Sequence, residues 1–147
     1  MAYALGSFGV SLTEAEATRH RETFFRTYAG LRAWHRKVQD GSVETRTLAG
    51  RRRCGVTRFT EKLNTPVQGT GADGLKRALA LLWERRAQCP DSVPVLVVHD
   101  EIVIECPIGQ KENAAVWLQD AMRDGMAPLI EPISVEVEVS SALTWGG

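Results

Sequence analysis

The segment from Val93 to Cys106 constrains the fold of this chain more than any other. It reads Val-Pro-Val-Leu-Val-Val-His-Asp-Glu-Ile-Val-Ile-Glu-Cys, two runs rich in β-branched residues, interrupted only by His99, Asp100 and Glu101 and bounded by Pro94 and Pro107. Such runs favour extended backbone, and a short polar break between two of them favours a hairpin. The expectation is a buried hairpin with a charged tip. Carboxylates at the junction of two apolar strands are costly unless they are solvated, paired or holding a metal. A hard divalent cation such as Mg²⁺ takes one or two carboxylate oxygens and fills its other positions with water and substrate phosphates, and Asp100 and Glu101 are able to supply those oxygens. The alternative from the local pattern is a plain Asp-Glu turn that caps the hairpin.

Around this hairpin the periodicity predicts helices. Thr13-Glu14-Ala15-Glu16 has the spacing in which a hydroxyl and a carboxylate reciprocally satisfy free amides at a helix start. The apolar residues Phe24, Tyr28, Leu31, Trp34 and Val38 then recur at intervals of three and four, as one core-facing stripe, with Gly30 as a point where the helix can bend. Asp40-Gly41 ends it. Val43 to Leu48, Ala49-Gly50 and Arg51-Arg52-Arg53 read as a short hairpin with a basic tip, either a solvated loop or a phosphate-binding one. Asn64-Thr65-Pro66 is a helix-opening signal, with Leu75, Leu79, Leu82 and Trp83 as the buried stripe that follows. Gly69, Gly71 and Gly74 are unusual company there, because each glycine costs up to about 1 kcal/mol relative to alanine inside a helix. Either tight packing or a ligand lying across the backbone accounts for them. A third helix is expected over about Lys111 to Met126, and Ile133, Val135, Val137 and Val139 alternate with polar residues as a strand with one wet face. The fold class predicted is α+β: a small antiparallel sheet packed with about three helices.

With 147 residues, 44% of them hydrophobic, the chain suits one domain or part of one. The 18 Lys and Arg balance the 18 Asp and Glu, but unevenly along the chain. Residues 1–90 hold 16 basic and 8 acidic side chains, a net of +8, whereas residues 91–147 hold 2 and 10, a net of −8. The first part suits a polyanion, and the second does so only with a cation. Three cysteines at wide spacings argue against a disulfide framework and against zinc, and a reducing cytosol is the home expected. No run approaches the roughly 18 apolar residues of a membrane span, and Met1 to Val10 lacks the form of a signal peptide. Nucleophile elbows, Lys-bearing phosphate loops and dinucleotide fingerprints are absent from the sequence.

Four segments occur in an order that resembles the C-terminal part of the family A DNA polymerases, the bacterial DNA polymerase I group. They are Tyr3-Ala4-Leu5-Gly6-Ser7-Phe8-Gly9-Val10, Leu48-Ala49-Gly50-Arg51-Arg52, the block from Asn64 to Asp73, and Val97-Val98-His99-Asp100-Glu101. The resemblance runs nearly end to end, and the Asn-x-Pro-x-Gln-Gly-Thr-x-Ala-Asp block followed by His-Asp-Glu is its specific part. It implies a polymerase palm in which Asp100 is a catalytic Mg²⁺ ligand, Glu101 assists, and His99 touches the primer end. It also implies that Gln68 reads the minor groove beside the primer terminus, that Asn64 shares that DNA-contacting surface, and that Arg51 and Arg52 lie near duplex phosphates. Tyr3 resembles the fingers tyrosine that stacks at the nascent base pair, where a dNTP binds. Residues 1–40 would form the end of the fingers and the following helix, and residues 41–147 the C-terminal part of the palm.

The departures from the family pattern are equally specific. The lysine and arginine that precede the tyrosine in the family, and the other palm aspartate motif, have no counterpart in this chain. Two-metal phosphoryl transfer clamps its ions about 3.5–4 Å apart, which one aspartate cannot do. The expectation is therefore a truncated, split or fragmentary polymerase. It would bind primer-template DNA and dNTP, be completed by a second chain carrying the missing motifs, and have no membrane association. The rival expectation is a non-catalytic DNA-binding fragment or a relic.

Overall fold

The computed structural model describes residues 9–39 and 44–145, which fall into two compact units, residues 1–42 and 43–147. Tyr3 and the Asp40-Gly41 signal lie outside the described residues.

In the first unit, helices α1 (Glu14–Thr27) and α2 (Ala29–Gln39) replace the single long helix. The start is as the sequence predicts. The Thr13 hydroxyl accepts from the Glu16 amide at 3.3 Å, and the Thr13 amide donates to the Glu16 carboxylate at 2.9 Å. The break falls at Tyr28 (φ −106°, ψ 66°), two residues before the expected Gly30. The apolar stripe is not a core here: neither helix has a buried residue, and Phe24 and Tyr28 are 47% and 53% exposed. Two short helices have too little surface to cover a stripe of that width. Their rings gather instead, with Phe24 and Tyr28 centroids 4.9 Å apart.

The second unit contains β1 (Thr45–Arg46), β2 (Arg52–Arg53), α3 (Phe59–Glu84), β3 (Val93–Val98), β4 (Glu101–Glu105) and α4 (Lys111–Ile130). The class is α+β, but among the described residues there are four helices and two separate two-stranded antiparallel sheets, β1-β2 and β3-β4, rather than three helices and one sheet. Helix α3 starts at Phe59, five residues ahead of the expected Asn64 opening, and carries Pro66 in its interior. Proline has no N–H to give the carbonyl four residues back, which would leave Lys62 O without its helix donor. The Thr45 hydroxyl donates to that oxygen at 3.3 Å. A side chain from the neighbouring strand thus repairs the ladder, a rescue the linear sequence does not announce.

The core lies where α3 and α4 cross. Ala78, Leu82, Cys89, Ala114, Trp117, Leu118 and Ala121 are buried together, and Ile102 of β4 seats on them at 7% exposure. Gly125 makes the crossing possible: a Cβ there would stand 2.7 Å from Ala78 N and 2.8 Å from Gly74 O. Gly74 faces Met126, where a Cβ would collide with the side-chain sulfur and not with backbone. At Gly74 and Gly125 tight packing is thus the explanation for glycine.

The hairpin itself is not buried as expected. β4 is anchored through Ile102, but Val93, Val95, Leu96 and Val97 of β3 are exposed. Pro94 and a register shift that leaves Val95 without a partner are features of an edge strand. Residues 133–139 form no strand, although Val135 and Val137 are more covered than their polar neighbours and Gln119 donates to Val137 O at 2.8 Å. Alternation supplies the faces of a strand and leaves its pairing to a partner elsewhere.

Gly125→Ala is expected to destabilise the chain by about 1–3 kcal/mol through overpacking against backbone, less up to about 1 kcal/mol regained in helix propensity. Gly71→Ala, with nothing within 4 Å of the new Cβ, is expected to stabilise it by up to about 1 kcal/mol. Urea midpoints of the two variants measure both. Equal effects would show that the α3–α4 contact is looser than the geometry requires.

Candidate nucleic-acid interface

Two surfaces carry the residues singled out from the sequence. The first is the hairpin tip. Val98 pairs with Glu101, so His99 and Asp100 alone form the loop. His99 adopts φ 54°, in the left-handed region that histidine enters more readily than most residues and that a two-residue hairpin loop demands. His99, Asp100 and Glu101 are all exposed, while the next residue, Ile102, is fixed in the core. The expense of carboxylates between apolar strands is thus avoided by solvation. Among the described residues neither Asp100 nor Glu101 has a hydrogen bond or ion pair through its carboxylate. Their oxygens are open acceptors, a donor set that fits the one or two carboxylates a hard divalent cation requires. No group of three His, Cys, Asp or Glu with ligating proximity occurs among the described residues.

The second surface is the N-terminal half of α3 with the β1-β2 hairpin. Asn64 and Gln68 are exposed and four residues apart, which puts them on one helix face. The turn of the hairpin is closed by Thr47 N–H to Arg51 O and Gly50 N–H to Thr47 O, each 3.0 Å, with Gly50 at φ 87°. Its tip is Leu48-Ala49-Gly50, so the arginines line the returning arm rather than the tip. Arg51 Nε donates to Asp73 Oδ1 at 2.8 Å and Nη2 to Gly69 O at 3.1 Å. Arg52 Nη1 lies 3.6 Å from Glu44, and Arg53 reaches Thr65 at 3.4 Å and Glu61 at 3.8 Å. Gly69 is explained here too, since a Cβ would stand 2.6 Å from the Thr47 methyl.

Sequence reasoning assigned no role to Thr47, Thr70 or Asp73. The Thr70 hydroxyl donates to Pro66 O and accepts from the Leu48 amide at 2.9 Å, tying hairpin to helix. Asp73 is buried beneath Arg51. Burial works to raise its pKa, but the Thr47 hydroxyl and the Arg51 guanidinium outweigh it and hold the carboxyl below the ordinary value. A signal existed in the spacing: the buried residues of α3 are Thr70, Asp73, Gly74, Ala78 and Leu82, so the core-facing stripe simply continues as polar residues toward the N-terminus.

Residues 1–147, the whole chain, match DNA polymerase family A. The chain belongs to that family. It is 37% identical over 143 residues to DNA polymerase I of Aquifex aeolicus (strain VF5), covering 92% of this chain and 25% of that protein. It is 35% identical over 144 residues to the thermostable DNA polymerase I of Thermus thermophilus, covering 87% of this chain and 17% of that one. With the thermostable DNA polymerase I of Thermus aquaticus the identity is 35% over 140 residues, 84% of this chain and 16% of the relative. The chain thus spans a quarter or less of the length of these relatives. No helix among the described residues is long and apolar enough to cross a membrane.

The lowered pKa of Asp73 has a definite sign in stability. An acid whose folded pKa lies below its unfolded value, ordinarily 3.8, contributes stability that is present above the unfolded pKa and lost as pH falls through the folded one. Wild type is therefore expected to lose more stability than Asp73→Asn on going from about pH 5 to pH 3, measured as urea midpoints. A constant difference between the two proteins across that range would remove Asp73 as the source.

Proposed function

We propose that this chain is the C-terminal palm part of a DNA-directed DNA polymerase, residues 41–147, preceded by the end of the fingers, residues 1–40. Its reaction is templated transfer of a nucleotide from a dNTP to a primer 3′-hydroxyl with release of pyrophosphate. The observation that carries the reading is the tip of the β3-β4 hairpin, where a family A chain presents two carboxylates without an ion pair among the described residues, Asp100 in the loop and Glu101 at the start of β4, next to Ile102 in the core. Rigid support for a reacting group is what positioning chemistry requires. Asp100 holds Mg²⁺ in this reading and Glu101 assists. The bound ion supplies charge stabilisation at the reacting phosphoryl group.

The remaining residues bind and orient. His99 meets the primer end, Gln68 and Asn64 face the minor groove beside it, and Arg51 and Arg52 neutralise backbone phosphates without reading sequence. Tyr3, outside the described residues, would stack at the insertion site. A second palm carboxylate and the cationic grip on the triphosphate would come from polymerase sequence beyond this chain, on the same polypeptide or a second one. A binding-only reading is favoured by the net +8 of residues 1–90. It predicts primer-template affinity that falls with salt as phosphates are neutralised, without extension.

The deciding test replaces the matched segment of the Aquifex aeolicus relative with this chain and measures primer extension. Extension by the chimera is expected, and Asp100→Ala should lower it by about 10³-fold, the scale of losing several kcal/mol of charge stabilisation, with primer-template affinity little changed. Retained extension in that variant would remove the metal role. A chimera that binds DNA and never extends would favour the binding-only reading.

A further inference from the structure

Asp73 is a buried acid for which the proposed chemistry has no use. Its residue surface is 9% exposed, and one of its carboxylate oxygens, Oδ2, is buried without a hydrogen-bond partner among the described residues. Burying a carboxylate under an arginine is poor value as a staple, because desolvation consumes much of the Coulomb gain. A pair of this kind is better explained by what it fixes.

The pair fixes a guanidinium. Nε is held by Asp73 at 2.8 Å and Nη2 by Gly69 O at 3.1 Å, while the Arg51 backbone amide donates to the Thr47 hydroxyl at 3.1 Å. The planar fork is thereby set in angle as well as in position. Two of its five N–H donors serve these bonds, and the side chain is still 50% exposed. Gly69, whose carbonyl accepts from it, is the residue after Gln68 on α3. A donor fork is thus held beside the helix face that carries Asn64 and Gln68, and a Cβ on Gly69 would intrude at 3.4 Å from Nη2.

We infer that Asp73 is a positioning residue: from beneath the surface it fixes the Arg51 guanidinium to donate to a DNA backbone phosphate beside the Gln68 face. The inference rests on the DNA-binding reading above and deepens it. It makes a prediction opposite in sign to simple electrostatics. Removing a negative charge near a polyanion site should tighten binding, whereas removing the group that orients the fork should weaken it.

The experiment measures primer-template duplex affinity of the full chain by fluorescence anisotropy across a salt series, with circular dichroism melts to follow the fold. Asp73→Asn is expected to weaken binding about tenfold, the scale of one hydrogen bond to a charged group. It should also make the slope of log affinity against log salt shallower by about 0.9, one phosphate contact. Arg51→Ala should do the same, and the double variant should be no worse than either single one, since without the arginine there is nothing to orient. Arg51→Lys leaves Asp73 in place and keeps the charge but loses the fork, and it should resemble Arg51→Ala; it also serves should Asp73→Asn fail to fold. Unchanged or tighter binding by Asp73→Asn, an undiminished Asp73→Asn effect in the Arg51→Ala background, or wild-type affinity in Arg51→Lys would each overturn the positioning role. Wild-type chain that binds no duplex at all would instead remove the DNA-binding reading, and the inference with it.

Discussion

Everything that positions the acidic tip depends on the contact between α3 and α4. Gly125 lets its own backbone lie against Ala78 and the Gly74 carbonyl. That closeness brings Ala78, Leu82, Trp117, Leu118 and Ala121 into one buried cluster, where the Trp117 indole N–H has no hydrogen-bond partner among the described residues. Ile102 joins the cluster and carries β4 with it. An isolated two-stranded hairpin is marginal in water, so the direction in which Asp100 and Glu101 project is set by the helix pair beneath them. The strand partner β3 gains little from this arrangement, which is why Val93, Val95 and Val97 stay exposed while β4 is held.

Helix α3 does a second job at its other end. Its 26 residues span about 39 Å at 1.5 Å per residue, and the character of its inward face changes along that length. Toward the C-terminus the face is Ala78 and Leu82 against α4. Toward the N-terminus it is Thr70 and Asp73 against the β1-β2 hairpin, held by hydroxyls and a guanidinium instead of apolar contact. Apolar packing fixes distance well and rotation about a side chain poorly, whereas hydrogen bonds fix both. The division suits what is proposed for the two ends: a loop on a firm base, and an arginine with a set direction.

Legibility followed locality. The Thr13–Glu16 capping box was readable because both partners lie within four residues, and the β3-β4 hairpin because its two runs and their polar break are contiguous. Helix α4 was readable from its stripe and overran the expected end, passing Pro128 to Ile130. The start of α3 was not readable, because the Lys62 carbonyl that Pro66 leaves without its helix donor is met by Thr45, which lies more than twenty residues before the proline. Residues 133–139 have the alternation of a strand and no ladder, since alternation is local and pairing is not. The three arginines were visible as charge, but charge has no address. That Arg51 would turn to Asp73 while Arg53 turned to Glu61 required the hairpin to be folded against the helix first. Of the candidate site, the residue types were legible and their mutual support was not.

The two ends of this arrangement make opposite demands on a nucleic acid, and the contrast follows from charge alone. The arginine arm offers exposed guanidinium donors to phosphate, although Arg51, Arg52 and Arg53 also face Asp73, Glu44 and Glu61. The tip repels phosphate: each carboxylate of Asp100 or Glu101 within about 4 Å of a phosphate oxygen costs about 1 kcal/mol even at the dielectric of water, and several times that once water is displaced. Glu105, exposed on the same strand, adds to the repulsion at longer range. Under the proposed function, a primer end would therefore have reason to approach the tip only with a divalent cation between phosphate and carboxylate. In the proposed function the net +8 of residues 1–90 and the net −8 of residues 91–147 have complementary parts. In that proposal the first part would supply affinity that salt weakens, and the second would make close approach conditional on the ion.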